Sequence, residues 1–282
     1  MADERPAMAD DLPAWSMRED AAPVEAVQLT APITREWAWG GSSGSGVSVG
    51  IVDSGVDADH PDVGGVSEAV VVRAGDDDRP LADADREPDV SGHGTACAAL
   101  IRSIAPDCEL ISVRVLGADF TGTGRDLVAG LLWALQRGCR IVNLSLATTR
   151  REFASPLQEL VDDAYFNNAI VVASAHNMPV LSWPWRFASV VSVASHDRGD
   201  SFEFHYNPQP PVEFYARGAE LDVAWPGGGH IRVTGNSFAT PHISAICALI
   251  LAKHPRLTPF QVKSILYATA NNVSDERRGA RA

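Results

Sequence analysis

The sequence predicts an α/β fold, a three-layer arrangement with a central, mostly parallel sheet flanked by helices. Two observations carry that expectation. Short apolar runs rich in β-branched residues recur at 47–52, 69–73, 109–115, 140–146, 169–174 and 189–194, with helical patterns between several of them. The runs are continuously apolar instead of alternating, as in strands buried on both faces, and strands separated by helices pair in parallel. The 282 residues show no internal repeat and no second core, so one domain is expected over 31–271. Residues 1–30, acidic and rich in Ala and Pro, read as a flexible leader, and 272–282 as a flexible tail.

The elements follow in order. GGSSGSG at 40–46 precedes the strand VSVGIVD. A dinucleotide-binding glycine loop must follow a strand and open a helix, so that reading is rejected. An apolar helical pattern follows His93. RDLVAGLLWALQRG at 125–138 reads as a helix ended by Gly138. SPLQELVDDAYFNN at 155–168 reads as a helix with Ser155 as N-cap and Pro156 at its first position. The aromatic residues Trp183, Trp185 and Phe187 are expected in the core. Strand-like LDVAW and IRVTG come next, then a long helix over about 238–254. A final helix opens at Thr258, with Pro259 next and Gln261 completing a capping box.

Net charge is −13, which disfavours nucleic acid and anionic membrane as partners. No run is long and apolar enough to span a bilayer, and the N-terminus lacks a signal pattern, so a cytoplasmic protein is expected. Cys97, Cys108, Cys139 and Cys247 show no metal-ligand spacing and are expected as free thiols. The run DDDRPLADADREPD at 76–89 sets seven carboxylates against two arginines. It reads either as a solvated loop or as an attractor for a basic substrate or a cation.

Chemistry concentrates in three stretches. VGIVDSGVDADHPD puts Asp53 at the end of a strand, where open parallel sheets bind ligands. SGHGTACAAL puts His93 between two glycines at the start of a helix. GNSFATPHISA puts Ser237 at a helix N-terminus, facing a positive dipole end. Each has a structural reading when taken alone: a turn-capping Asp, a structural His, a capping Ser. Together they hold the acid, base and hydroxyl that make a serine nucleophilic.

These stretches resemble the subtilisin-like serine proteases, the subtilases, over roughly residues 30–270. That family is a standard example of the order Asp, His, Ser. An α/β-hydrolase would need GxSxG and Ser first, and a chymotrypsin-like chain His first. The resemblance implies that Asp53, His93 and Ser237 are catalytic and that no cofactor is used. VVASAHN at 171–177 resembles the strand ending in the family's oxyanion asparagine, here Asn177, which would act with the Ser237 amide. VRVLGADFTGTG resembles one wall of the substrate cleft, with Gly117, Ala118 and Asp119. NLSLATT resembles the other, with Ser145, Leu146 and Ala147, so that a peptide lies between them as an added strand.

Several positions depart from the family pattern. Asn236 stands where Thr is usual, His176 where Gly is usual, and Ala147-Thr148 where Gly-Gly is usual. Each adds bulk or polarity, and an apolar, medium-sized S1 pocket lined by Met178, Ala147 and Ser174 is expected. The calcium-binding insertion of secreted members is missing after the His93 helix, so no metal site is expected. The leader is shorter than the pro-domain of many secreted relatives. That suggests an intracellular serine endopeptidase, or one processing a dedicated precursor peptide. Two alternatives stay open: a non-catalytic peptide-binding module, and a transpeptidase or macrocyclase using the same acyl-enzyme.

Overall fold

The computed structural model of the protein describes residues 32–273, apart from Asp78 and Pro88. The expected leader, and all but the first two residues of the expected tail, lie outside these described residues. Nine strands form one sheet: β1 Ser48–Asp53, β2 Glu68–Ala74, β3 Pro80–Ala84, β4 Glu109–Arg114, β5 Ile141–Leu144, β6 Ile170–Ser174, β7 Val191–His196, β8 Phe204–Tyr206 and β9 Phe214–Arg217. Their order is β3-β2-β4-β1-β5-β6-β7-β9-β8. All pairs are parallel except those of the two edge strands, β3 with β2 and β8 with β9. A hairpin of β10 Leu221–Trp225 and β11 Gly229–Val233 stands apart from the sheet.

The helices are α1 Arg35–Trp39, α2 His93–Ile104, α3 Gly124–Gln136, α4 Ala154–Phe166, α5 Asn236–Lys253 and α6 Pro259–Thr269. Side chains alternate across a strand, so each β-run feeds two cores. Val49 and Ile51 join α2, α5 and α6 on one face, while Val52 joins α3 and α4 on the other. Helix α5 is buried all round from Phe238 to Leu251: apolar residues lie on every side, and its polar Thr240, His242 and Ser244 bond to the Asn236 carbonyl, the Phe238 carbonyl and Asn143. The capping box at Thr258 forms with both reciprocal bonds. Trp183 and Trp185 are buried in the second core, with Phe187 packed against it. All four cysteines are free and buried. Among the described residues no helix is long and apolar enough to cross a membrane.

Two expectations need correction. Helix α4 begins at Ala154, not at a Ser155 cap, because a 3₁₀ turn over Arg151–Phe153 leads straight into it. Ser155 Oγ instead donates to Glu159 one turn on. The acidic run is solvated along most of its length, but it is not a plain loop. Its centre is the edge strand β3, and two of its acids turn inward. Asp85 takes Arg114 in a two-pronged ion pair, Nε at 2.7 Å and Nη2 at 2.8 Å. Asp89 accepts from Ser54 Oγ, Ser91 N, Thr95 N and Thr95 Oγ1 at 2.7–3.0 Å. These bonds fasten the run to the end of β1 and the start of α2.

Candidate active site

Asp53 is the last residue of β1, at the carboxyl end of the sheet between β4 and β5. Its side chain is fully buried. Ser54 N–H donates to Oδ1 at 2.8 Å, and His93 Nδ1 lies 3.0 Å from both carboxylate oxygens. A carboxylate there only accepts, so Nδ1 carries the proton and Nε2 is left as the acceptor.

His93 opens α2, and the glycines on each side are steric requirements. A β-carbon on Gly94 would stand 2.0 Å from the Gly55 carbonyl oxygen. One on Gly92, whose φ is 91°, would stand 2.3 Å from the Trp225 ring. Helix α2 has no side-chain cap at Gly92. The Asp89 carboxylate, bonded to the Thr95 amide, supplies the negative charge that a helix start favours. Burial by itself pulls the His93 pKa down. The adjacent Asp53 carboxylate outweighs burial and holds the pKa well above 6.5.

Ser237 is the second residue of α5 and is half-buried. Pro241, four residues on, has no N–H to give the Ser237 carbonyl its helical bond. Ser145 Oγ gives it instead, at 2.7 Å. Behind Ser145 the chain of polar groups continues through Asn143 Nδ2 at 3.1 Å to Ser244 Oγ, which donates to Asn143 Oδ1 at 2.8 Å. Cys97 Sγ completes the floor, 3.9 Å from both His93 Nδ1 and the Ser237 carbonyl. Burial pushes the Cys97 thiol pKa up, so it stays protonated.

Asn177 follows β6 and is exposed. Its Oδ1 accepts from the Asn236 amide at 3.0 Å, which turns Nδ2 the other way. A β-carbon on Gly235 would meet Ser237 Oγ at 3.4 Å and Asn177 Nδ2 at 3.7 Å, so hydroxyl and amide border the same small space. The structure therefore brings Asp53 and His93 into direct contact, and Ser237 and Asn177 to one point. Among the described residues no hydrogen bond joins Ser237 Oγ to His93.

Gly117, Ala118 and Asp119 form an open turn after β4, tied by Gly117 N–H to the Thr121 carbonyl at 2.8 Å and by Asp119 to the Thr121 hydroxyl at 2.7 Å. Leu146 and Ala147 are half-buried on the facing wall, while the Ser145 side chain points down to the Ser237 carbonyl. A cleft of about 530 Å³ beside that wall is lined by Ala147, Thr148, Phe153 and His176, among others. Of the three expected pocket residues only Ala147 lines it. Ser174 closes the end of β6 and is buried, and Met178 stands out into solvent at 62% exposure.

Among the described residues, Asp53, His93 and Cys97 have donor atoms close enough to hold a metal ion, within 4.8 Å. All three are buried and His93 Nδ1 is already spent on Asp53, the geometry of a hydrogen-bonded acid–base pair. Sequence reasoning missed Asp89, Cys97 and Asn143, whose roles depend on distant partners. A histidine-plus-four spacing on α2 was the one available signal for Cys97.

The sequence model of the Subtilase family matches residues 44–280 of the chain. The chain belongs to the subtilase family. Subtilisin DY of Bacillus licheniformis is 30% identical to this subtilase over 250 residues, spanning 83% of this chain and 87% of that one. Subtilisin BL of Lederbergia lenta is 30% identical over 244 residues, with 83% and 86% covered. A crystal structure of a cold adapted subtilisin-like serine proteinase aligns at a TM-score of 0.68 and 29% identity, over 84% of this subtilase and 87% of the other chain. This subtilase is thus a subtilisin-like serine endopeptidase, and its substrates are peptides or proteins.

Proposed function

We propose that the protein cleaves peptide bonds through an acyl-enzyme formed on Ser237, with Asp53 and His93 completing the triad. Asp53 holds the His93 tautomer that leaves Nε2 free. His93 Nε2 takes the hydroxyl proton as Ser237 Oγ bonds to the substrate carbonyl carbon. The oxyanion is held by Asn177 Nδ2 and the Ser237 amide. His93 then delivers the proton to the leaving nitrogen as the C–N bond breaks, and water releases the acyl group by the reverse sequence. The observation that carries this reading is the Asp53–His93 contact at 3.0 Å, fully buried on the acid's side, beside a helix start that presents Ser237.

The peptide lies as an added strand between 117–119 and 145–147. Ala147 and His176 bear side chains on the cleft, and Phe120 stands against His93 with ring centroids 4.7 Å apart. Such a furnished cleft favours a restricted substrate, such as a dedicated precursor peptide, over general digestion. The four free, buried thiols fit a reducing compartment such as the cytoplasm.

Fluorophosphonate labelling with mass spectrometry of peptide-library products tests the reading. Labelling at Ser237 and new peptide termini are expected, both lost in Ser237→Ala. A folded protein that neither labels nor cleaves at any pH from neutral to 10, where His93 has lost its proton, would leave a peptide-binding module. Ligated products in the presence of an amine would instead mark transpeptidation.

A further inference from the structure

We propose that Asn236 is a positioning residue: its side chain fixes the distance between the Asn177 amide and the Ser237 hydroxyl. The inference rests on the triad reading above. Asn236 is the first residue of α5, after the N-cap Gly235, so its side chain is not used to cap its own helix. It is spent across the fold instead. Oδ1 accepts from Ser195 N and from Ser195 Oγ, both at 2.9 Å, which ties the start of α5 to β7. Nδ2 donates to the carbonyls of Ala175 at 3.1 Å and His176 at 3.3 Å, which ties it to the loop carrying Asn177.

The chemistry leaves one orientation. The Ser195 amide can only donate and the two carbonyls can only accept, so the Asn236 amide cannot be turned over without opposing like groups. The same rule sets Asn177: the Asn236 N–H must meet Oδ1, which sends Nδ2 towards Ser237. Asn236 thus bonds both to the backbone that precedes Asn177 and to Asn177 itself. The loop has its own lock in addition, since His176 Nδ1 accepts from Met178 N–H at 3.0 Å. With the loop rigid, its position is set by how it is moored: the Ala175 N–H holds it to the Val193 carbonyl of β7 at 2.7 Å, and the Asn236 side chain holds it to the start of α5. A threonine at this place has one hydroxyl on Cβ and cannot span both sides.

Preorganised oxyanion donors act on the transition state, not on the bound substrate. Loosening the mooring therefore lowers kcat and leaves KM in place. A donor shifted by ~1 Å costs on the order of 10²-fold in rate. Asn236→Ala, assayed on a cleaved peptide, is expected to lose roughly that factor in kcat with KM within about twofold. Affinity for a peptide boronic acid, which forms a tetrahedral adduct, should fall in parallel, while binding of an uncleaved peptide product holds. Asn236→Thr should fall between wild type and Asn236→Ala, and serves if the alanine variant does not fold. A folded variant with unchanged kcat, or with raised KM alone, overturns the proposal. A wild type that neither labels nor cleaves overturns the protease reading instead, so the two failures are distinct.

Discussion

The Ser145 hydroxyl donates to the Ser237 carbonyl at 2.7 Å, in the place of the backbone bond that Pro241 cannot make. The bond is part-buried and stands on a buried relay that reaches Ser244 through Asn143. Ser145→Ala leaves both the carbonyl and the Asn143 amide short of a partner. A loss of about 2–3 kcal/mol is expected in urea unfolding. In a Pro241→Ala background the helix can supply the missing N–H, so the same substitution should cost less than half as much. Equal costs in the two backgrounds would show that the carbonyl is not the group at stake.

In the proposed mechanism His93 must be neutral to accept the Ser237 proton. Because Asp53 outweighs burial and raises the His93 pKa well above 6.5, protonation disables the base at pH values where an ordinary histidine is already neutral. The acid limb of kcat/KM is therefore expected above pH 6.5, with activity rising towards alkaline pH. Asp53→Asn removes the charge that raises the pKa, so the limb moves down in pH. The rate itself falls by on the order of 10⁴-fold, the cost seen when a triad acid is lost. Rates followed with an activated ester from pH 5 to 10 would decide it. An acid limb that stays put in the variant assigns it to another group.

The limits of sequence reading lie in the same residues. β1, β4, β6 and β7 were legible because they are continuous β-branched runs buried on both sides. The edge strand β3, PLADA, was not, since an exposed edge needs no apolar pattern and its charges hide it. The short strands β8 and β9 and the five-residue α1 are too brief to show a period. Asp53, His93, Ser237 and Asn177 each sit in a local motif that a linear reading can find. Asp89 and Asn236 do not, because Asp89 also holds Ser54, 35 residues away, and Asn236 holds Ser195 and Ala175, 41 and 61 residues away. Asn236 was visible only as an odd residue, and packing turns that oddity into a set of bonds.

Phe120 has a φ of 58°, a conformation costly for an aromatic residue, and it keeps 43% of its surface exposed. Its ring nevertheless stands 4.7 Å from the His93 ring, centroid to centroid. In the proposed binding mode, a peptide running from the 117–119 turn to Ser237 brings its second side chain, counted back from the cleaved bond, past that ring. Phe120→Gly should relieve about 1 kcal/mol of backbone strain, offset by the ring contact it loses. It should also raise kcat/KM for peptides with Leu or Phe at that position relative to Gly or Ala, by about tenfold. Paired substrates differing only there give the ratio directly. An unchanged ratio would mean that the loop moves aside on binding.

His242 gives a stability prediction of defined sign. It lies on α5 and is buried, with Nδ1 against the Phe238 carbonyl at 3.1 Å. Burial pushes its pKa down from 6.5 to about 4. Between those values the unfolded chain binds a proton at this residue and the folded chain does not. Stability contributed by neutral His242 is therefore complete above pH 6.5 and is lost as pH falls towards 4, by about 3 kcal/mol in all. His93 works in the opposite sense, because its folded pKa is raised and protonation favours its folded form. The wild-type slope mixes the two, and a difference against a variant separates them. His242→Leu removes one group and keeps the helix apolar. The stability of wild type minus that of His242→Leu, from urea midpoints at pH 7 and pH 4.5, should fall by about 2–3 kcal/mol on acidification. A difference independent of pH would mean that the folded protein admits the proton, with α5 opening to water at that turn.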